Sequence, residues 1–264
     1  MKVGFIGAGN MGGALARAIS EEKQINIYIY DIHSEKSEGL AREIGAAACE
    51  LDNLLAVSDF VFLGVKPNKI FDVCNAIKDK IKPNAVMISM AAGVTLAQLG
   101  KALGGAIPVI RMMPNTPVTY GAGMTAWCKN QHVTEDMAQN FIKMMMLTGA
   151  IDEIPEEKID AFCAIAGCGP AYAYMFINAL TEAGEKCGLD RNQALFYASE
   201  MLRGSALMAE KSSLSPKILC QNVCSPGGST IEGVKVLETE GFEDAVFKAI
   251  VAAFHRTKEL GKQS

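Results

Sequence analysis

Short apolar runs, each ended by a polar or glycine-rich turn, recur along the first part of the chain. Val3-Gly4-Phe5-Ile6, Ile25 to Asp31, Asp59 to Val65, Ala85 to Ser89 and Ile107 to Met112 are rich in β-branched and aromatic residues and read as strands. Asn10 to Glu22 and Ser34 to Ile44 carry helical periodicity, and Gly45 stands where a helix C-terminal glycine belongs. Asp59 to Val65 is apolar without alternation, as in a strand covered on both faces, and Pro67 stops it. Strands alternating with helices predict a mostly parallel sheet with helices on both sides.

After Ile154-Pro155 the pattern changes. Glu156 to Ile165, Pro170 to Cys187, Arg191 to Lys211 and Phe242 to Leu260 read as helices, and no further strand is expected. The organisation is therefore α/β over residues 1–154 and all-α over 155–264. Ala161 to Thr181 contains no charged residue, but Gly167-Cys168-Gly169-Pro170 interrupts it, so two helix segments buried in protein are expected rather than a membrane span. Ala171 to Leu180 is apolar nearly all round. A helix of that kind is covered on all sides, so a neighbouring subunit is expected to supply part of the cover.

Composition sharpens this picture in three ways. Half of the 264 residues are hydrophobic and the mean hydropathy is +0.17, which excludes a disordered chain and implies either a large core or apolar surface buried between subunits. The net charge of −4, with no basic run, argues against nucleic acid as a partner. The eight cysteines and three histidines form no metal-ligand spacing, so no metal is expected and the thiols read as reduced and mostly buried. Met1-Lys2 runs directly into a strand, leaving no expected leader and a cytoplasmic location.

The chemistry-bearing motifs follow the strands. Gly7-Ala8-Gly9-Asn10-Met11-Gly12 lies between strand-forming Ile6 and a helix, the setting of a dinucleotide-binding turn in a Rossmann-like domain. There Gly7 permits the turn, Gly9 lets backbone approach a pyrophosphate, and Gly12 lets helix and strand pack closely. Asp31 ends the second strand, where a carboxylate accepts ribose hydroxyls and repels a 2′-phosphate. His33, Ser34 and Lys36 follow and would bind such a phosphate, so NADH and NADPH both stay open. Gly64-Val65-Lys66-Pro67 and Met90-Ala91-Ala92-Gly93 close two further strands, where small residues admit a nicotinamide ring. Arg111-Met-Met-Pro-Asn-Thr-Pro117 reads as a rigid turn. Ser225-Pro-Gly227-Gly228-Ser229-Thr230 opens a helix, and successive N–H groups there suit a carboxylate, with two hydroxyls beside them.

These pieces, with Gly169-Pro170-Ala171-Tyr172 and Val236-Leu237-Glu238, stand in the order found in the pyrroline-5-carboxylate reductases, and the chain resembles that family from end to end. The resemblance implies a Rossmann domain, a helical substrate and dimerisation domain interlocked with its partner, and assemblies of dimers, often decamers. It implies NAD(P)H, usually NADPH. It assigns cofactor contacts to Ile6, Gly7, Ala8, Gly9, Asn10 and Met11, to Gly64, Val65, Lys66 and Pro67, to Met90, Ala91 and Ala92, and to Asn222. Asp31 and Ser34 join them on position. Gly227, Gly228, Ser229 and Thr230 fall to the substrate, with Thr230 as the catalytic hydroxyl. Ala166 and Cys168 replace two serines of the family pattern, and Ser213 and Ser229 depart from it, which bears on the choice of imine. The rival classes are a reductase of another cyclic imine, a β-hydroxyacid dehydrogenase and a nucleotide-sensing protein. The turn after Gly169 lacks the lysine that the dehydrogenase class needs.

Overall fold

A computed structural model describes residues 1–263 and gathers every strand into one sheet. The strands are β1 (Lys2–Ile6), β2 (Asn26–Tyr30), β3 (Ala47–Ala48), β4 (Phe60–Leu63), β5 (Val86–Ser89), β6 (Val109–Met113), β7 (Gly123–Lys129) and β8 (Gly149–Glu153). Their order is β3-β2-β1-β4-β5-β6-β7-β8, with every neighbouring pair parallel except β6 and β7. The chain builds outward from β1 to β3, then returns to the other side of β1 with β4. The carboxyl ends of β1 and β4 are therefore the topological switch point, where open sheets of this kind bind ligands.

The helices around it are α1 (Asn10–Ser20), α2 (Ser34–Ile44), α3 (Leu51–Val57), α4 (Ile70–Ile77), α5 (Leu96–Ala102) and α6 (Glu135–Met145). Gly45 closes α2 in the left-handed conformation, φ 68°, as its position requires. The core lies on the two faces of the sheet. Phe5 and Phe62, from adjacent β1 and β4, stack at 4.6 Å and are fully buried. A buried aromatic or aliphatic side chain contributes about 1.5–3 kcal/mol, so this pair anchors the two strands that carry the glycine turns.

The second half contains α7 (Ile159–Phe162), a π-helical turn at Cys163–Gly167, α8 (Gly169–Lys186), α9 (Arg191–Lys211), α10 (Pro216–Asn222), α11 (Ser229–Thr239) and α12 (Phe242–Gln263). Two expectations need correction here. The Gly167–Pro170 stretch does not break the helical path: Cys168 keeps helical dihedrals (φ −84°, ψ −23°), and the π turn absorbs the mismatch before α8. Pro170 falls in the first turn of α8, where a missing N–H costs nothing. Glu156–Lys186 is thus one helix long and apolar enough to cross a membrane by length and composition. Nor is it buried within the chain, since only 11% of its most apolar stretch is covered.

By its contacts the chain forms two compact units, residues 1–170 with the end of α12 from Ala252, and Ala171–Val251. The division falls at Pro170 rather than at 154 because Ile159 and Cys163 pack with Met113, Ala126 and Cys128 of β6 and β7. β7 and β8, absent from the expected strands, extend the larger unit. The cysteines are free, but only Cys74, Cys128 and Cys163 are buried, and Cys187 and Cys220 are exposed.

Candidate active site

The glycine turn is held from three sides. The Gly7 N–H donates to the Tyr30 carbonyl at 2.7 Å, the Gly64 N–H donates to the Ile6 carbonyl at 2.8 Å, and the Ala8 N–H donates to Asp31 Oδ2 at 2.7 Å. Side chains have no room at two of its positions. Gly7 has φ 104°, and a Cβ there would stand 2.6 Å from the Gly64 carbonyl oxygen; a Cβ at Gly12 would overlap the Gly7 carbonyl oxygen. Gly9 differs: it is exposed, and nothing lies within 4 Å of where its Cβ would be. It is also the N-cap of α1, with no side-chain capping bond, so the first N–H groups of that helix face open space. Backbone donors, the positive end of an eleven-residue helix and a glycine facing outward make a cradle that fits a pyrophosphate.

Ile6, Gly7, Ala8, Gly9, Asn10 and Met11 meet Asp31 and Ser34 across the β1–β2 ends. Gly64, Val65, Lys66 and Pro67 follow β4, and Met90, Ala91 and Ala92 follow β5, so all of these residues gather at the carboxyl ends of four neighbouring strands. Lys66 is exposed and, among the described residues, forms no ion pair. After Ala92, Gly93 adopts φ 77° and touches the backbone of Gly261 at the end of α12 so closely that a side chain on either would overlap the other.

Sequence reasoning took the Arg111–Pro117 stretch for a rigid turn and missed its main role. Arg111, 2% exposed at its side chain, bonds Glu156 at 3.2 Å and Asp160 at 2.7 Å. Glu156 also accepts the Leu96 N–H at 2.7 Å, at the start of α5. Asn115 donates to the Ala166 carbonyl at 3.0 Å and accepts the Met124 N–H at 2.9 Å. These contacts join β6 to the π turn. Nothing local signals such long-range pairs; the one hint is an arginine inside an apolar strand. At the same turn burial pushes the Cys163 thiol up to about 11, and the Thr257 hydroxyl donates to its sulfur.

The smaller unit holds Asn222 at the last position of α10 and the predicted substrate residues at the start of α11. Gly227 has φ 74°, and the Gly228 N–H donates to the Ser225 carbonyl at 3.0 Å, which turns the chain into α11. Gly228 is the N-cap and supplies no side chain. Ser229 and Thr230 are exposed, and among the described residues neither hydroxyl has a partner. Unfilled N–H groups and two unpaired hydroxyls therefore stand together at the start of an eleven-residue helix.

Comparison with known proteins agrees with both halves. The family described as pyrroline-5-carboxylate reductase dimerisation matches residues 156–260, and the one described as NADP oxidoreductase, coenzyme F420-dependent, matches residues 2–93. The pyrroline-5-carboxylate reductases of Escherichia coli and Aquifex aeolicus are each 36% identical to this chain, covering 99% and 98% of it and 98% and 97% of their own lengths. The crystal structure of Plasmodium falciparum pyrroline carboxylate reductase with NADP bound superposes with a TM-score of 0.92 at 31% identity, over 99% of this chain and 98% of that one. With such identity over nearly the whole of each chain, the chain belongs to the pyrroline-5-carboxylate reductase family.

Proposed function

We propose that the chain reduces 1-pyrroline-5-carboxylate to L-proline with hydride from NAD(P)H, the last step of proline biosynthesis. The observation that carries this reading is the open start of α11. Its free N–H groups suit a small carboxylate, and the Pro-Gly-Gly turn before it keeps side chains away from whatever binds.

Residues 1–154 serve as the dinucleotide-binding domain and 155–264 as the substrate and dimerisation domain. The backbone from Gly7 to Met11 would hold the pyrophosphate, and Gly64 to Pro67, Met90 to Ala92 and Asn222 would line the rest of the dinucleotide. Ile6, Asp31 and Ser34 lie at its margin. When bound, that group supplies the hydride. The Gly228-Ser229-Thr230 helix start holds the substrate carboxylate through the N–H groups of Ser229 and Thr230, with Gly227 and Gly228 shaping the turn, while the Thr230 hydroxyl oxygen accepts a hydrogen bond from the protonated ring nitrogen. A protonated imine is already electrophilic, so these residues act by positioning and no strong acid is required.

Threonine replacement tests the assignment. Losing a hydrogen bond to a charged group costs about 1.5–3 kcal/mol, so Thr230→Ala should lower kcat/KM roughly tenfold to a hundredfold. NAD(P)H affinity should stay within about twofold, and Thr230→Ser should recover most of the activity. Wild-type kcat/KM in the alanine variant would overturn the role.

The protein works as a homo-oligomer of interlocked dimers, with decamers as the larger assembly, in the cytoplasm. A second copy, not lipid, covers the apolar helix faces. The dimerisation match over residues 156–260 takes in the whole exposed apolar region of α8 and α9 and supports that reading.

A further inference from the structure

We infer that the last turn of α12 seats the loop that follows β5, and that Gly261 is thereby a positioning residue for the nicotinamide end of the dinucleotide. The inference rests on the dinucleotide reading above and adds to it a residue remote from every glycine motif in the sequence.

Three observations carry it. First, the contact is backbone on backbone. A Cβ on Gly93 would overlap the Gly261 nitrogen and stand 2.7 Å from the Thr257 carbonyl oxygen, and a Cβ on Gly261 would overlap the Gly93 carbonyl oxygen and stand 2.8 Å from its carbon. Neither partner is a side chain that can swing away, so a methyl on Gly261 has to push loop and helix apart. Glycine is also the poorest helix former after proline, so its place inside the last turn of α12 answers to the loop rather than to the helix. Second, the loop is anchored on both sides of that contact. The Ser89 hydroxyl accepts the Ala91 N–H at 3.3 Å, Ala91 and Val94 are buried, and Thr95 and Gln98 cap α5 through reciprocal bonds of 2.9 and 3.3 Å. Between these anchors Gly93 turns the chain with φ 77°, and α12 is packed against it there. Gln98 Nε2 also reaches the Gly261 carbonyl at 3.5 Å. Third, the end of α12 is docked. Thr257, one turn before Gly261, is buried, and its hydroxyl reaches the Ala253 carbonyl at 2.9 Å and the Cys163 sulfur at 3.8 Å.

The loop in question, Met90 to Ala92, is the one assigned above to the dinucleotide. A helix end that holds the loop and a ligand held by the same loop are linked: whatever the helix contributes to the ligand's affinity, the ligand returns to the helix. The adenine half of the dinucleotide belongs to the glycine turn after β1, at a different strand end. Releasing α12 therefore costs binding of the nicotinamide half and spares the adenine half. General damage to the fold would weaken both halves together.

Titration of the full-length protein with NADH and NADPH, read by nicotinamide fluorescence, is set beside calorimetric titration with AMP and adenosine 2′,5′-bisphosphate, which carry no nicotinamide. Gly261→Ala should weaken the tighter-binding dinucleotide roughly fivefold or more and leave the adenine nucleotides within about twofold, the lower end of ordinary coupling and its absence. Glu259→Ala, exposed on the same turn and bonded to Arg256 at 2.8 Å, should leave both unchanged. In the wild-type protein the dinucleotide should slow amide exchange over residues 257–263 as well as 90–94, and the adenine nucleotides should not. A Gly261→Ala protein that binds the dinucleotide like wild type, or that loses dinucleotide and adenine nucleotides alike, overturns the inference while the reductase reading stands. So does exchange over 257–263 that the dinucleotide leaves unchanged, a result that decides the matter even where the alanine variant does not fold. Wild-type protein that binds neither dinucleotide overturns both.

Discussion

Alanine at Gly9 and alanine at Gly12 separate binding from folding in a single turn. Gly9 has φ −73° and ψ −172°, an extended conformation open to alanine, and no atom lies within 4 Å of the added methyl. Restricting the unfolded chain should stabilise the variant by about 0.4–1 kcal/mol. Exchanging a glycine N-cap for alanine costs a similar amount, about 0.5–1 kcal/mol. The net change is close to zero, and Tm should move by less than about 2 °C in a unit of this size. The same methyl stands where the pyrophosphate must meet the backbone, and overfilling a close contact costs about 1–3 kcal/mol, so NAD(P)H should bind roughly 5-fold to 150-fold more weakly. At Gly12 the methyl overlaps the Gly7 carbonyl oxygen, which is backbone and cannot swing aside. Gly12→Ala should therefore lose about 1–3 kcal/mol of stability and several degrees of Tm as well as binding. Thermal unfolding followed by fluorescence titration reads both quantities. A Gly9→Ala protein that binds NAD(P)H like wild type, or that unfolds as early as Gly12→Ala, would refute the cradle.

Arg111→Met strands Glu156 and Asp160, whose side chains are 32% and 20% exposed and so recover some hydration. The expected loss is about 3 kcal/mol, the low end for breaking a buried pair, seen as a fall in Tm of roughly 6–12 °C; a fall under about 2 °C would show that the triad contributes no stability. In sedimentation velocity without detergent, the protein at micromolar concentration should run as a dimer or larger, and a monomer, or a chain that stays with the membrane fraction, would overturn the covered-face reading.

The α/β half was legible because β1, β4, β5 and β6 are buried on both faces and therefore read as apolar runs, while β2 alternates in burial. Gly45 marked the end of α2, and Gly7 and Gly12 marked the turn, because Gly45 and Gly7 take positive φ and a Cβ at Gly7 or Gly12 would strike backbone. β8, at the edge of the sheet, and β7, inside it between β6 and β8, escaped notice because neither reads as an unbroken run of β-branched and aromatic residues. Gly149–Glu153 is half exposed and ends in two acids, while Gly123–Lys129 hides a threonine and a glycine among its buried positions. The π turn was misread because Gly and Pro together signal a break in an isolated chain. Here Asn115 bonds the Ala166 carbonyl and the Cys168 N–H reaches the Cys163 carbonyl, so tertiary partners keep the backbone helical where local preference would end it. Of the candidate site, the backbone donors were readable from glycine spacing. The Asp31–Ala8 bond was not, since it joins residues 23 apart.

Hydrophobicity in the helical half was equally readable, but a sequence states that a residue avoids water without stating which chain shelters it. α9 spans Arg191–Lys211 and buries only Ala194 and Ala198, and α8 buries only Thr181. Tyr174, Met175, Phe196, Tyr197 and Met208 are all more than half exposed. Isolated helices of this length are marginal in water, and most helical stability comes from a packed face. A helical unit with so little core of its own therefore cannot owe its order to contacts within the chain alone. The positive mean hydropathy belongs to the same account: it reflects surface that only association removes from water. Folding of Ala171–Val251 and assembly of the homo-oligomer are on this argument one process.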